Sequence, residues 1–365
     1  MPPRIALIGL ALFAASIASA QSPAYRVETV ATGLAYPWGV AFLPDGRWLV
    51  TEREGRLRVI ENGRLLAEPV AGVPPVHAVS QGGLFDVLPA PDFAETEQIY
   101  LSFAHGDAGA NATRVVRARL IGNALTEVEE VFTAGPWKDT PVHYGGRMAW
   151  DRDGHLLIAL GDGFDYREAA QDLASHLGSI VRVTANGAVP ADNPFVGAEG
   201  VRPEIYSWGH RNVQGLAVDP ADGTVWSHEH GPRGGDEVNR IVAGRNYGWP
   251  AITFGVDYSG AMVSPYTELP GMEQPLLHWT PSIAPSGMSL YRGDAFPSWN
   301  GRLLVSTLVE RSVRLIDVAS NAPTQQTLFK ELGQRLRDVR VAPDGTLVLL
   351  TDAADGQVLR VLPSR

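Results

Sequence analysis

Gly39-Val-Ala-Phe-Leu-Pro-Asp-Gly-Arg-Trp-Leu-Val50 is the stretch of sequence that decides the fold. Two apolar runs, residues 39–43 and 48–50, enclose a turn built around Asp45 and Gly46. Asp-Gly between apolar runs indicates a β-hairpin, because glycine adopts the positive φ that a tight turn requires. The stretch therefore predicts two antiparallel strands.

The same unit recurs along the chain, so that six copies are present. Repetition of a hairpin-containing unit at this spacing is typical of propeller blades, each of which buries its faces against its neighbours. We therefore predict an all-β fold, a six-bladed β-propeller of four-stranded antiparallel blades. A β-sandwich pair or a barrel is the alternative. The other copies are residues 84–92 with 99–102, 147–158, 215–226, 287–291 with 302–305, and 339–350.

Three further segments bear on this architecture. Residues 25–30 are expected to form a strand that closes the last blade, which would leave few exposed sheet edges. A helix of more than a turn or two is considered only over residues 167–177. Residues 249–281, rich in Pro, Gly and aromatic residues, are expected to be a long loop between strands, and such loops often carry function.

The first twenty residues have the features of a secretory signal peptide. Arg4 precedes the apolar run 5–15, and Ala18-Ser-Ala20 forms a small-residue cleavage site. The run is too short for a membrane span, although an uncleaved anchor is the alternative. We therefore expect a leader over residues 1–20, a single propeller domain over residues 21–365, and a periplasmic or secreted protein with no membrane span.

Composition excludes several classes of function. The net charge of −10 argues against nucleic acid as a partner, because phosphate binding needs a basic face. The chain has no cysteine, which excludes disulfides, thiolate metal sites, iron–sulfur clusters and covalently attached c-type haem.

Polar clusters precede the first strand of several repeats: Gln81-Gly-Gly83, His143-Tyr-Gly-Gly146, Arg211-Asn212 and Arg335-Leu-Arg337. Because these positions are equivalent in the repeat, we expect the side chains to converge at one end of the central channel. A histidine there could take a proton from a bound ligand near neutral pH. The alternative is that His143 merely packs or hydrogen-bonds at a strand edge.

The charges in these clusters indicate the kind of ligand. Arg211, Arg335 and Arg337 would make a positive pocket in an acidic protein, which suits a ligand with several carboxylates or phosphates. The alternative is that the arginines pair with acidic residues between blades, such as Asp338, Asp352 and Glu204.

A cation site is also indicated. Gly231-Pro232 lies in a turn that could offer two carbonyl oxygens, the ligand type that hard cations require. Asp236, Glu237 and Asp257 could contribute carboxylates. The alternative is a solvated acidic loop.

The sequence resembles the soluble quinoprotein aldose sugar dehydrogenases, the group dependent on pyrroloquinoline quinone (PQQ) that is related to soluble glucose dehydrogenase. The resemblance runs from residue 33 to residue 345, nearly the whole mature chain. Its motifs are Gln81-Gly-Gly-Leu84, His143-Tyr-Gly-Gly-Arg147, Gly209-His-Arg-Asn212, Glu229-His-Gly-Pro232, Gly234-Gly-Asp-Glu-Val-Asn239 and Asn246-Tyr-Gly-Trp-Pro250.

This resemblance implies a six-bladed propeller that holds PQQ flat in the channel mouth. It implies that His143 is the general base in oxidation of an aldose at C1 to a lactone, and that electrons pass to an external acceptor. It also implies PQQ contacts from six side chains, those of Gln81, Arg211, Asn212, Tyr258, Arg335 and Arg337.

The resemblance implies Ca²⁺ as well. The carbonyls of Gly231 and Pro232 match those that hold the calcium next to the cofactor, and Glu237 with the backbone of Tyr247 matches a second, structural site. One position departs from the family. Where relatives carry a lysine near the cofactor, this chain has Leu308-Val309-Glu310-Arg311, so either Arg311 substitutes for that lysine or the contact is lost.

Two other functions remain open at this point. A calcium-dependent lactonase or esterase propeller would need acidic and amide groups around a channel cation, and no redox cofactor. A non-catalytic glycan- or protein-binding propeller would need no base at all.

Overall fold

A computed structural model of the chain describes residues 25–320 and 322–364. The leader expected over residues 1–20 lies outside the described residues. Within them, the strands form six sheets of four antiparallel strands each, which are the blades of the predicted propeller. The prediction of an all-β, six-bladed β-propeller is confirmed, and neither a sandwich nor a barrel is formed.

The first two strands of every blade correspond to one copy of the repeat. In the described residues the strands are β1 (Tyr25–Leu34), β2 (Pro37–Phe42), β3 (Trp48–Glu52), β4 (Arg56–Glu61), β5 (Arg64–Leu65), β6 (Leu84–Pro89), β7 (Gln98–Gly106), β8 (Asn111–Ile121), β9 (Ala124–Thr133), β10 (Gly145–Trp150), β11 (Leu156–Leu160), β12 (Ser179–Val183), β13 (Ile205–Trp208), β14 (Val213–Val218), β15 (Val225–Glu229), β16 (Asp236–Ile241), β17 (Leu277–Trp279), β18 (Pro285–Leu290), β19 (Arg302–Thr307), β20 (Val313–Asp317), β21 (Thr324–Leu328), β22 (Leu336–Val341), β23 (Leu347–Thr351) and β24 (Gly356–Pro363).

Blade 1 comprises β2–β5, blade 2 β6–β9, blade 3 β10–β13, blade 4 β14–β17 and blade 5 β18–β21. Blade 6 takes β22, β23 and β24 from the carboxyl end and β1 from the amino end, in register from Tyr25–Pro363 to Leu34–Gly356. The expected closure of the ring by a strand at residues 25–30 is therefore confirmed. The inner strands β2, β6, β10, β14, β18 and β22 contact one another in a closed circle.

Helices contribute little to the fold. In the described part of the chain they are α1 (Phe93–Thr96) and the short 3-10 helices Arg167–Gln171, Pro297–Trp299 and Lys330–Leu332. The helix considered over residues 167–177 thus amounts to its first five residues. None of the described helices has the length and apolar character needed to cross a bilayer. The expected long loop is the connection between β16 and β17.

The hydrophobic core is divided among the blade interfaces. Leu49 of blade 1 packs in one cluster with Leu84 and Leu101 of blade 2, and Leu157 of blade 3 packs with Leu216 of blade 4. Equivalent clusters lie between the other neighbouring blades. Each blade therefore depends on its neighbours for burial, and the ring is the unit that is stable.

One guanidinium group joins all six blades at the channel axis. Arg147, in β10, is fully buried, and its Nη1 donates to Oδ1 of Asp86 in blade 2 at 3.2 Å and to Oδ2 of Asp338 in blade 6 at 3.3 Å. Its Nε and Nη2 donate to the carbonyls of Gln214 in blade 4 and Ser286 in blade 5. The guanidinium carbon lies 4.1 Å from the ring centre of Trp38 in blade 1.

A second arginine completes this axial cluster. Arg340 Nε donates to Asp338 at 2.9 Å, and its Nη2 donates to Asp86 at 3.1 Å. Asp86 and Asp338 are both buried, so two carboxylates are balanced by two guanidinium groups. The cluster lies across the channel and fixes the six inner strands relative to one another.

Candidate functional site

A cavity of about 210 Å³ lies at the end of the propeller where the inner strands β6, β10, β14 and β22 begin. Gln81, Asn212, Arg335 and Arg337 all line it, although they come from different blades. The structure thus brings these four sequence-predicted residues together, as expected from their equivalent repeat positions. The remaining lining residues are Trp38, Arg53, Phe85, Tyr144, Gly145, Gln214, His230, Leu308 and Asp352.

His143 stands beside this cavity on the segment that leads into β10. Its backbone N–H donates to Oε1 of Gln81 at 2.9 Å, which ties the two predicted residues together. The residue adopts a left-handed conformation with φ of 53°. Its carbonyl group lies so close to Gly161 that a Cβ there would come within 2.2 Å of the oxygen, so the close approach requires glycine at 161.

The His143 ring is oriented by a buried carboxylate. Nδ1 of His143 lies 2.7 Å from Oδ1 of Asp162, and the other oxygen of Asp162 accepts a hydrogen bond from Nε1 of Trp249 at 2.8 Å. Among the described residues, Nε2 of His143 has no hydrogen-bond partner, so this nitrogen is available to a ligand. The arrangement fixes the tautomer with the proton on Nδ1 and leaves Nε2 as an acceptor.

Burial lowers the pKa of His143, and the hydrogen bond and charge of Asp162 oppose that shift. Arg211 and Lys138 add to the lowering because their positive charges disfavour a second cation nearby. His143 is therefore a neutral ring at neutral pH, which is the form a general base requires.

Arg211 and Asn212 lie on the segment leading into β14, next to the histidine. Nη1 of Arg211 donates to the carbonyls of His230 at 3.1 Å and Gly231 at 2.6 Å. The Arg211 guanidinium has no carboxylate partner among the described residues. Oδ1 of Asn212 accepts a hydrogen bond from the backbone N–H of Gly145 at 3.3 Å.

Three arginines and one aspartate line the cavity. Arg335 forms two hydrogen bonds with Oδ2 of Asp352, at 2.9 and 2.7 Å, and Arg337 lies 3.7 Å from Oδ1 of the same residue. The ion-pair alternative thus holds for Asp352, whereas Asp338 pairs with arginines of the axial cluster and Glu204 with His176. Arg53 adds a further guanidinium to the cavity wall, stacked over Tyr36 at 4.4 Å. The cavity therefore has an excess of positive charge.

Tyr258 lies in an adjoining cavity instead. This second cavity, of about 240 Å³, includes Asp162, Arg211 and Trp249 in its wall. Tyr258 is exposed, stacks on Phe164 with ring centres 6.3 Å apart, and lies 5.7 Å from the guanidinium carbon of Arg211. The structure therefore places Tyr258 on the side of Asp162 and Arg211, not in the cavity lined by Gln81 and Arg337.

Three of the predicted cation ligands form a third group, next to Arg211. Gly231, Glu237 and Tyr247 line a space of about 10 Å³ together with Glu229. Burial raises the pKa of Glu237 well above its usual value, and the neighbouring charge of Glu229 raises it further. Pro232 lies in the wall of the cavity that contains Tyr258.

The segment that departs from the family pattern contributes one residue to the cavity wall. Leu308 lines the cavity, whereas Val309 is exposed. Arg311 is also exposed, and its Nη1 donates to the carbonyl of Gly333 at 3.3 Å. Arg311 is thus not among the described residues lining the cavity, and the suggestion that it substitutes for a lysine there finds no contact to support it.

Sequence reasoning missed several residues of the site. Asp162 is the most important, and its position between Gly161 and Gly163 directly after the apolar strand β11 could have revealed it. Trp249 and Glu229 lie within motifs of the family resemblance, but the motifs alone indicate no role for either side chain. Arg53 has no local signal, because only the closed ring brings the end of β3 next to β22.

Comparison with known proteins places the chain in a family. A family profile described as Glucose / Sorbosone dehydrogenase matches residues 34–360. Aldose sugar dehydrogenase YliI of Escherichia coli (strain K12) is 43% identical over 345 residues, which cover 93% of each chain.

Solved structures agree with this assignment. The apo-form of the soluble aldose sugar dehydrogenase from Escherichia coli superposes with a TM-score of 0.89 at 43% identity, over 93% of this chain and all of that one. The PQQ-bound aldose sugar dehydrogenase from Streptomyces coelicolor superposes with a TM-score of 0.77 at 30% identity, over 94% and 99%. The chain, with its six-bladed ring and its polar channel mouth, belongs to the glucose/sorbosone dehydrogenase family.

Proposed function

We propose that this protein oxidises aldose sugars at C1 to lactones, with PQQ and Ca²⁺ as cofactors, His143 as general base and an external electron acceptor. The observation that carries the proposal is the Asp162–His143 pair beside a cavity with cationic and amide walls. The PQQ-bound form of the Streptomyces coelicolor relative supports the choice of cofactor. The leader expected over residues 1–20 would export the protein to the periplasm or the medium.

The residues present fit a planar tricarboxylate such as PQQ. Nε of Arg337 is buried and has no hydrogen-bond partner among the described residues. This donor therefore lacks the hydrogen bond that a buried N–H group normally makes. Burial lowers the pKa of Arg337, and the nearby arginines add to that effect, which an anionic ligand would reverse. We infer that Arg335 and Arg337 hold carboxylates, and that Gln81, Arg211 and Asn212 make the other polar contacts.

The group of residues next to Arg211, which includes Glu229 and Glu237, fits a divalent cation. Glu229 and Glu237 are two carboxylates around a space of about 10 Å³, and the buried Oδ1 of Asn239 beside them has no hydrogen-bond partner among the described residues. Carboxylate and amide oxygens are ligands that Ca²⁺ prefers. The Gly231 carbonyl accepts a hydrogen bond from Arg211, which leaves its second lone pair for a cation.

The chemistry assigned to the protein itself is proton transfer and orientation. Nε2 of His143 takes the proton of the C1 hydroxyl as the C1 hydrogen leaves with its electron pair, and Asp162 stabilises the imidazolium that forms. PQQ with Ca²⁺, when bound, supplies an ortho-quinone that accepts those electrons and a cation that polarises it. Trp249 holds Asp162 in turn, so that the histidine ring keeps one orientation.

The change Asp162→Asn should lower kcat by roughly 10- to 100-fold while the affinity for PQQ stays close to wild type. An amide can present its NH₂ group to Nδ1, which favours the wrong tautomer and removes the charge that stabilises imidazolium. Steady-state kinetics on the reconstituted variant measure the effect, with Asp222→Asn, in the turn between β14 and β15, as a matched control. Unchanged kcat in the Asp162 variant would show that the carboxylate has no part in catalysis.

The change Glu237→Gln should largely abolish the stabilisation of the protein by Ca²⁺. Without Ca²⁺ the variant should be at least as stable as wild type, because one of two repelling buried carboxylates is gone. At a hundredfold excess of Ca²⁺ over Kd, wild type should gain about 2.7 kcal/mol and the variant little. Thermal unfolding with and without Ca²⁺ measures this, with the exposed Glu268→Gln as control. Equal gains in both proteins would argue against a cation at Glu237.

Reconstitution separates the proposed function from its alternatives. Purified protein is mixed with PQQ and Ca²⁺, and reduction of a dye is followed with glucose and other aldoses. Dye reduction that requires PQQ supports the dehydrogenase. Hydrolysis of a lactone or ester without PQQ would instead support a lactonase, and neither activity would support a glycan- or protein-binding propeller.

A further inference from the structure

Lys138 is an unusual residue for its position. The chain contains two lysines, Lys138 and Lys330, and all its other basic residues except histidine are arginines. Lys330 is exposed on the 3-10 helix Lys330–Leu332, whereas only 3% of the surface of Lys138 is accessible. Burying an ammonium group is costly unless its hydrogens are all satisfied. A lysine so deeply buried beside the candidate site therefore requires an explanation.

All three ammonium hydrogens of Lys138 have acceptors. Nζ donates to Oδ1 of Asn111 at 3.0 Å and to the carbonyl of Thr140, and it lies 3.5 Å from the ring centre of Tyr144. The hydroxyl of Tyr144 donates to the same oxygen of Asn111 at 2.7 Å. A compact ammonium group fits this three-sided pocket, whereas a planar guanidinium group does not match its geometry.

These contacts hold the segment that carries His143. Thr140 precedes His143 in the sequence and Tyr144 follows it. The ammonium group therefore contacts this segment on both sides of His143, which has the left-handed conformation. The methylene stem of Lys138 packs against Gly163, where a Cβ would come within 2.7 Å of Cδ. Gly163 follows Asp162 directly. Lys138 therefore joins the two segments that bring Nδ1 of His143 and Asp162 together.

The charge of Lys138 also acts on the pair. Burial lowers the pKa of Lys138 to about 7, and Asp162 and Asp139 oppose that shift. His143 gains its proton below its ordinary range, because burial lowers its pKa. The positive charge of Lys138 therefore disfavours protonation of the His143 ring. The other charged groups that act on His143 are Asp162, which favours the protonated ring, and Arg211, which disfavours it.

We propose that Lys138 is a positioning residue for His143, which fixes the 138–144 segment and disfavours protonation of the imidazole ring in the resting enzyme. The inference rests on the proposed role of His143 as a general base. It assigns to Lys138 no contact with substrate or cofactor. Its effect on the reaction is indirect: a neutral His143 can accept the C1 hydroxyl proton over a wider range of acidic pH.

The test follows the histidine directly, without cofactor or turnover. The apo-protein is labelled with ¹³Cε1-histidine, the His143 resonance is assigned by its loss in His143→Gln, and its titration is recorded by NMR. Three variants are compared with wild type: Lys138→Met, which removes the charge and the donors, Lys138→Gln, which keeps a donor without the charge, and Lys330→Met, which removes the same charge from an exposed site.

We expect the titration midpoint of His143 to move to higher pH in both Lys138 variants and to stay at the wild-type value in Lys330→Met. In the enzyme reconstituted with PQQ and Ca²⁺, the acid limb of kcat/KM should move in the same direction, so that activity near pH 5 falls roughly tenfold for each unit of displacement. The Lys138→Gln variant should retain more of the neutral-pH kcat than Lys138→Met.

An unchanged His143 midpoint in the folded Lys138 variants would overturn the proposal. A wild-type His143 midpoint at or above the ordinary histidine value would also overturn it, even if both variants fail to fold, because such a midpoint is incompatible with a ring whose protonation is disfavoured. The NMR result does not depend on PQQ. A midpoint shift without dye reduction would therefore contradict the proposed function while leaving the link between Lys138 and His143 intact.

Discussion

Replacing His143 with glutamine should lower kcat on aldoses by roughly 10²- to 10⁴-fold, the usual contribution of a general base. Glutamine retains the size of the side chain but cannot take a proton from the C1 hydroxyl. The backbone N–H of residue 143, which donates to Gln81, is unaffected by the change. PQQ binding should therefore survive, and the loss should appear in kcat.

The pH profile gives this prediction a second readout. Burial lowers the pKa of His143, so the base is unprotonated at neutral pH and is lost as pH falls through that lowered pKa. The wild-type kcat/KM should therefore stay level from neutral pH to below the ordinary histidine range, and then fall. This fall in kcat/KM at acidic pH should be absent from the residual activity of His143→Gln. The change His155→Gln, in the turn between β10 and β11, serves as control. Wild-type turnover by the His143 variant would refute the assignment.

Replacing Arg147 with methionine should destabilise the protein by about 3 to 5 kcal/mol, the usual cost of removing one partner from a buried ion pair. Asp86 and Asp338 would remain buried with Arg340 as their remaining guanidinium partner. The carbonyls of Gln214 and Ser286 would lose a donor in the same step. The effect is large because one side chain contacts the five other blades.

Denaturant unfolding of wild type, Arg147→Met and the exposed Arg152→Met measures the cost. The double variant Arg147→Met with Asp86→Asn should lose less stability than the sum of the single changes, because it no longer leaves an uncompensated carboxylate. A loss below about 1 kcal/mol for Arg147→Met, as is common for surface ion pairs, would show that the axial cluster does not hold the blades together.

The fold was predictable because the signals for it are local. Asp45-Gly46 and the equivalent turns lie between strands that pair with their sequence neighbours, and Gly46 does adopt a φ of 90°. The convergence of Gln81 and Arg337 was also predictable, because their positions in the repeat are equivalent. Because the unit repeats, residues at equivalent positions lie close together in the ring. This proximity can be inferred without knowing any long-range contact.

The other features could not be predicted, because they depend on contacts between residues that are far apart in the sequence. Arg147 finds Asp338 191 residues away, and no pattern near either residue indicates the partner. Asp162 meets Trp249 87 residues away across a blade interface. Tyr258 lies against Phe164 because of the path of the long β16–β17 connection, which local sequence does not determine. The role of Lys138 likewise depends on its contacts with Asn111 and Tyr144, which the sequence around Lys138 does not indicate.

The measurement that tests the central claim most directly is a spectroscopic titration of the apo-protein with PQQ in the presence of Ca²⁺, carried out on wild type, Arg337→Met and Arg64→Met. Arg337 lines the channel mouth, whereas Arg64 is an exposed surface arginine. We predict saturable binding of one PQQ per chain that is weakened at least tenfold in Arg337→Met and unchanged in Arg64→Met, followed by bleaching of the bound quinone when an aldose is added. Absence of saturable binding, or equal affinity in all three proteins, would contradict the account.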